Sequence, residues 1–199
     1  LEHPLCCALG EVGYDSIDEI EEQVVLAQLE LAKERGLPVL VHTPHRDKKR
    51  GTERTIALIR EAAFPEHLVL IDHNNEETLP LVLATGCYAG HSIYPDTKMD
   101  EQRMAALVKK YGPERIVINS AADWGVSDPL KVPKTVAAMR AAGIPDEQIE
   151  TIVWKNPIAF FGQSGRLDLG ETTEALKVDQ RELFEGNSVL RGQTPAVER

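Results

Sequence analysis

The sequence predicts an α/β fold built on a parallel sheet, and three observations support this. Short, continuously apolar runs recur along the 199 residues, longer amphipathic stretches separate them, and several runs end in an acidic residue or a histidine. Apolar strands that alternate with helices are typical of a parallel sheet covered on both faces. Five such strands fit either an open doubly wound sheet or part of a (β/α)8 barrel.

The apolar runs predict strands at residues 5–12, 38–42, 67–72, 87–93 and 115–119. After the first run, Ser16 and Asp18 open a long periodic stretch that Gly36 ends, which predicts a helix. Thr52 opens a second helix by the same criterion. Further helices are predicted over residues 76–85, 100–111, 131–142 and 146–154, and another begins at Pro157.

The composition indicates one domain and narrows the range of partners. The chain is 42% hydrophobic and 27% charged, which is enough for one core. A net charge of −10 argues against extended nucleic acid and anionic membranes as partners. No apolar run reaches the ~18 residues of a membrane span. Three cysteines, two of them adjacent in an apolar run, predict reduced thiols and a cytoplasmic location.

The end of the chain differs in composition from the rest. From about Gly170 the residues become mostly polar, with only isolated apolar positions. This change predicts a folded body over residues 1–169 and a polar C-terminal extension over residues 170–199.

Four polar residues at or just beyond the ends of apolar runs are the candidate functional residues: Glu11, His42, His73 and Asp123. They lie 31, 31 and 50 positions apart, and one strand–helix unit of a barrel takes about 30 residues. Strand ends on one face of a barrel converge, and Glu, His, His and Asp at one point form a divalent-metal site. Alone, each residue also fits a loop glutamate, a core histidine or a capping aspartate. The repeat spacing favours the metal site.

The loop after His42 supplies candidate substrate contacts, His45 and Arg46. The same loop carries further cations, namely Lys48, Lys49, Arg50 and Arg54. They form either a clamp for a phosphate or carboxylate, or an ordinary solvated loop.

The third and fourth strands end in further polar residues. His91 and Tyr94 end the fourth strand on the predicted site face and are candidate substrate contacts. Asp72 is expected to point away from the site, because neighbouring residues of a strand alternate between faces and His73 points inward.

At these residues the chain resembles the TatD-like metal-dependent hydrolases, which belong to the amidohydrolase superfamily of (β/α)8 barrels. The segments GEVGYD, VLVHTPH and LIDHN match the family's patterns around its glutamate and two histidines, and Asp123 stands at the position of its last-strand aspartate. The family usually has T-D-x-P there, whereas this chain has Ala122-Asp123-Trp124-Gly125. The family's first-strand His-x-His does not occur in this sequence.

The resemblance implies that the chain contains strands 4–8 of such a barrel, as a piece of a longer enzyme or as a remnant. It further implies one or two divalent ions (Zn²⁺, Mg²⁺ or Mn²⁺) held by Glu11, His42, His73 and Asp123, with Asp123 also acting as general base. The expected activity is hydrolysis of a phosphoester in a small or nucleotide-like substrate. The alternatives are an amide, a lactone or a decarboxylatable acid as substrate, or a non-catalytic barrel. A homo-oligomer is compatible with this sequence.

Overall fold

Five parallel strands form the sheet, as the apolar runs predict. In the computed structural model, which describes residues 1–120 and 126–170, they are β1 (Leu9–Gly13), β2 (Val39–His42), β3 (Val69–Ile71), β4 (Tyr88–Ser92) and β5 (Ile116–Asn119). Their spatial order is β1-β2-β3-β4-β5, so each strand pairs with the next one along the chain. An open doubly wound sheet reverses its strand order at a switch point, whereas a barrel does not. The order therefore identifies an arc of a (β/α)8-type barrel.

Helices follow the strands, and all but the last pack on the outer face of the sheet. They are α1 (Glu19–Arg35), α2 (Lys48–Glu61), α3 (Leu79–Leu83), α4 (Glu101–Tyr111), α5 (Lys131–Ala141), α6 (Asp146–Glu150) and α7 (Asn156–Gly162), with a 3₁₀ turn at Glu66–Leu68 and a π-helical turn at Thr151–Lys155. As predicted, α1 begins after Asp18, whose carboxylate accepts hydrogen bonds from the backbone N–H groups of Ile20 and Glu21. It ends at Gly36, which has a left-handed φ of 62°.

Several element boundaries differ from the prediction; for example, the helix predicted over residues 76–85 is limited to Leu79–Leu83. The first strand begins at Leu9 rather than at residue 5, and α2 begins at Lys48 rather than at Thr52. The Thr52 hydroxyl donates to the backbone carbonyl of Lys48, one turn earlier, so Thr52 lies one turn inside the helix and does not cap it. The predicted helix over residues 146–154 is α6 followed by the π-helical turn.

Alternation along the strands separates two apolar layers. One layer packs against the helices and includes Val39, Val41, Val69 and Ile71. The other layer consists of Leu70, Val117 and Phe160, with Leu40, Tyr88 and Phe161 packed against them. The Phe160 ring lies 5.1 Å from the Tyr88 ring, so α7 covers the inner face of the sheet. Helix α7 thus covers part of the inner face. The polar side chains lie toward the carboxyl ends of the strands, which form the rim of the sheet.

The described residues up to Leu167 belong to one compact unit. No helix within the described residues combines the length and apolar character that crossing a bilayer requires. The predicted boundary between residues 169 and 170 stays a prediction, because residues 171–199 lie outside the described part.

Candidate metal centre

Three of the four predicted metal ligands meet at the carboxyl ends of β1, β2 and β3. The Glu11 carboxylate oxygen Oε1 lies 2.8 Å from His73 Nε2 and 3.7 Å from His42 Nδ1. The two imidazole rings are stacked, with centroids 6.4 Å apart. Asp123, the fourth predicted ligand and the predicted general base, lies outside the described residues. The spacing argument thus predicted the convergence of Glu11, His42 and His73.

Asp72 also points into this cluster, which corrects the expectation that it faces away. Ligand atoms of Glu11, Asp72 and His73 all lie within 4.8 Å of one another. The strand ends at Ile71, and His73 has a left-handed φ of 62°. Because alternation holds only in extended backbone, this turn brings consecutive side chains to the same side. Asp72 therefore joins the group of potential ligands.

The Asp72 carboxylate is buried and held from three directions. It accepts hydrogen bonds from the backbone N–H of His73 (2.6 Å) and from Asn119 Nδ2 (3.0 Å). A Cβ atom on Gly90 would lie 2.6 Å from Asp72 Oδ1, so the carboxylate rests directly on the backbone of β4. A glycine is therefore required at position 90 for this close approach.

The His73 ring is fixed from its other side by Ser92, which lies on β4. The Ser92 hydroxyl lies 2.8 Å from His73 Nδ1 and, as both donor and acceptor, fits either tautomer. When Nδ1 carries the proton, Nε2 is free to bind a metal, and this is how histidine ligands are usually oriented.

The His42 ring is positioned by a close contact with β1. A Cβ atom on Gly13 would lie 2.4 Å from His42 Cδ2, and Gly13 has a φ of 155°. Any side chain at position 13 would therefore displace the ring. Nε2 of His42 is buried and has no hydrogen-bond partner among the residues that the structure describes.

The electrostatics keep Glu11 ionised. The hydrogen bond from His73 lowers the pKa of the Glu11 carboxyl, burial opposes this, and the nearby charges of His73, His42 and Lys98 lower the pKa further. A carboxylate, two imidazoles and a second buried carboxylate form a mixed nitrogen and oxygen donor set. Such a set suits Zn²⁺ or Mn²⁺, and its carboxylates also suit Mg²⁺. His42 Nδ1 faces the Glu11 carboxylate at 3.7 Å, and His42 Nε2 lies 3.9 Å from the Asp15 carboxylate, so the residues present fit a divalent ion.

Of the four predicted substrate contacts, His45 and Arg46 are exposed, whereas His91 and Tyr94 are buried. His45 is exposed and lies near the cluster, since the charges of Lys98, Lys48 and His73 all act on its pKa. Arg46 is exposed, and the structure shows no contact between it and the cluster. Tyr94 is buried, with the Lys98 ammonium 4.8 Å from its ring centroid. Of the other loop cations, Arg54 is held by Glu22 and Glu61, away from the cluster.

His91 does not lie at the cluster, contrary to its selection as a substrate contact. Its side chain is fully buried, and neither ring nitrogen has a hydrogen-bond partner among the described residues. The adjacent Ser92 faces His73, so alternation along β4 places His91 on the opposite, helix-covered face. A residue in that layer cannot contact a substrate at the strand ends.

Sequence reasoning missed Ser92, Asn119 and Lys98. Ser92 and Asn119 occupy paired positions at the ends of β4 and β5. Applying to them the strand-end rule that selected Glu11 and His42 would have found both. Lys98 lies in the loop after β4, and no local pattern marks it.

Fold and site together define the class of protein: an arc of a parallel barrel with a cluster of potential metal ligands at the carboxyl-end side of its strands. The chain belongs to the family described as TatD related DNase, whose sequence model matches residues 1–162. A metal-dependent hydrolase from Methanocaldococcus jannaschii is 29% identical over 161 residues, which is 81% of this chain and 63% of that protein.

Solved structures agree with this placement. A TatD-like protein from Archaeoglobus fulgidus has 31% identity and a TM-score of 0.61, over 78% of this chain and 60% of that one. A phosphotriesterase from Mycobacterium tuberculosis has 20% identity and a TM-score of 0.58, over 72% of this chain and 51% of that one, and is similar in fold. This chain spans less than two thirds of the length of each of these relatives.

Proposed function

We propose that the protein acts in a metal-dependent hydrolase of TatD type that cleaves a phosphoester in a small or nucleotide-like substrate. The observation that carries this proposal is the convergence of Glu11, His42 and His73, with Glu11 Oε1 within 2.8 and 3.7 Å of the two imidazoles. The family membership and the M. jannaschii hydrolase support the same class.

Glu11, His42 and His73 would hold the ion, with Asp72 as an additional carboxylate ligand. A bound divalent ion would lower the pKa of a coordinated water toward ~7 and would polarise the scissile bond. The chain contributes orientation: Ser92 fixes the His73 ring, and Asn119 fixes Asp72. Asp123 is proposed as a further ligand and as the general base, on the strength of the family pattern alone.

The surroundings of the reaction are part of the same proposal. The expected partner is a small anionic substrate rather than extended nucleic acid, because the net charge is −10. The cysteines at positions 6, 7 and 87 are all free thiols, which supports a reducing, cytoplasmic compartment.

The test combines metal binding and turnover in Glu11→Gln, which keeps the shape of the side chain and removes its charge. Zn²⁺ and Mn²⁺ are titrated calorimetrically, and hydrolysis is followed with a phosphodiester, a phosphomonoester, a lactone and an amide. We expect the wild type to bind metal stoichiometrically and to cleave a phosphoester, and the variant to lose both. Glu19→Gln, an exposed residue of α1, is the matched control. Preferential cleavage of the lactone or amide would contradict the phosphoester assignment, and metal binding unchanged in Glu11→Gln would contradict the site.

A further inference from the structure

We propose that Lys98 and Lys48 form a cationic subsite beside the Glu11–His73 pair that binds a phosphate group of the substrate. This inference rests on the proposed function and specifies the substrate class that it takes. Lys48 is the first residue of α2, which follows β2, and Lys98 lies in the loop after β4, so both lysines come from segments that follow the carboxyl ends of strands. Three lines of structural evidence support the subsite.

Lys48 is anchored next to the metal ligands. Its ammonium Nζ donates to the hydroxyl of Thr43 (3.1 Å) and approaches the Thr43 carbonyl oxygen (3.4 Å). The Thr43 hydroxyl in turn donates to the backbone carbonyl of Asp72 (2.9 Å). Thr43 follows His42, and Asp72 precedes His73, so this chain of hydrogen bonds holds the ammonium at the edge of the cluster. At least one of its three N–H groups remains available to a ligand.

Lys98 is held toward the same point from the opposite loop. The loop folds back on β4, because the Tyr94 backbone N–H donates to the Met99 carbonyl (2.9 Å) and Ile93 pairs with Lys98. The ammonium lies over the Tyr94 ring, 4.8 Å from its centroid. Its charge acts on three groups of the site, since it lowers the pKa of Glu11, of His45 and of Lys48.

The two ammonium groups repel each other, and neither forms a close ion pair within the described part of the chain, although the charges of Asp72 and Glu11 act on Lys48 and Lys98. Burial, and then the charge of Lys98, lowers the pKa of Lys48 to about 8. Among the other cations of these segments, Arg54 pairs with Glu22 and Glu61 and Arg103 pairs with Glu76, whereas Arg46, Lys49 and Arg50 are exposed to solvent. An anion that binds between the two ammonium groups would reduce this repulsion. A phosphate suits this arrangement, because lysines bind it as point charges without the planar fork of an arginine.

The position of Lys48 and Lys98 determines the role that the two lysines would have in turnover. A phosphate held by Lys48 and Lys98 would lie against the Glu11–His73 pair, where the metal is proposed to bind. The exposed His45 shares this environment, and burial together with the two lysines lowers its pKa. The lysines supply the positive charge of the subsite.

The experiment measures binding of inorganic phosphate to the full chain by calorimetry, in metal-free and in Mn²⁺-loaded protein. The variants are Lys98→Met and Lys48→Met, which keep most of the aliphatic volume. Lys110→Met is the matched control, because the Lys110 ammonium lies 4.8 Å from the Tyr111 ring on α4 in the same kind of contact. We expect about a tenfold or greater loss of phosphate affinity in both site variants and less than a twofold change in the control. Lys98→Arg should retain most of the affinity.

Turnover separates this inference from the proposed function. If a phosphomonoester is a substrate, Lys98→Met should raise its KM with little change in kcat, and leave the KM of a neutral ester unchanged. Phosphate binding is readable even in a protein that hydrolyses nothing, so failure of the hydrolase proposal does not decide the subsite. Wild-type phosphate affinity in both lysine variants, with unchanged thermal unfolding, would overturn it. So would the absence of phosphate binding to the wild type, or lysine-dependent binding of acetate as tight as that of phosphate.

Discussion

His73 and His91 belong to neighbouring strands of one sheet, yet they lie in opposite environments. His73 has a partner for each ring nitrogen, Glu11 on one side and Ser92 on the other. His91 is fully buried and has no partner for either nitrogen among the described residues. The difference follows from backbone geometry, because a left-handed turn at His73 directs its ring to the rim while alternation sends His91 toward the helices. The same residue type thus provides a candidate ligand at one position and core packing at the other.

One substitution at each histidine tests the difference between His73 and His91 most directly. His73→Asn keeps a residue that tolerates the left-handed backbone and removes the ligand nitrogen. We expect metal affinity to fall by more than the ~100-fold that loss of an outer-shell partner costs. His91→Leu should leave metal affinity unchanged and retain or raise the free energy of unfolding, since it replaces a buried polar ring by an apolar aliphatic side chain. Metal titration and urea unfolding check both variants. A loss of metal binding in His91→Leu would show that the two histidines are not separate in function.

The pH dependence of stability gives a second test of the environment of His91. Burial lowers the pKa of His91 to about 4, although Asp72 and Glu76 oppose the shift, whereas the group titrates near 6.5 when the chain is unfolded. The unfolded state therefore binds the proton first as the pH falls. Stability from this group is complete above about pH 6.5 and is lost as the pH approaches 4, by about 3 kcal/mol.

The measurement is urea unfolding of wild type and His91→Leu at pH 7 and pH 4.5. The wild type should lose more stability than the variant over this interval. His3→Leu, which changes an exposed histidine, should behave as the wild type. Equal losses in wild type and His91→Leu would contradict the assignment.

The smallest effect is expected from the residue that orients His73. Ser92→Ala removes the hydroxyl that lies 2.8 Å from Nδ1 and leaves the metal ligands in place. We expect about a tenfold loss of metal affinity, because outer-shell partners fix the ring and its tautomer. Ser120→Ala, which removes a hydroxyl bonded to the Pro129 carbonyl, is the control and should bind metal as the wild type does. Metal affinity unchanged in Ser92→Ala would mean that Glu11 and packing alone orient the ring.

Strand identity and the meeting point of three ligands were predictable from the sequence, because both depend on repeat spacing. Glu11, His42 and His73 are each at or just past the end of an apolar run, and parallel strands bring such ends together. The sequence prediction placed Asp72 and His91 on the wrong faces. For Asp72, strict alternation was applied beyond the end of β3, where the backbone is no longer extended. For His91, the alternation with the neighbouring Ser92 within β4 was not applied. A left-handed residue such as His73 leaves no mark in composition. Lys98 depends on how a loop folds back, which strand periodicity does not encode.

Gly13 has a consequence for how this protein can change over generations. Its missing side chain leaves the space that the His42 ring and carbonyl occupy, with a hypothetical Cβ only 2.2 Å from the carbonyl oxygen. A codon change there would alter no chemically active group, yet it would shift a ligand imidazole. Substitution of Gly13, in evolution or in protein design, is therefore disfavoured, although Gly13 carries no reactive side chain.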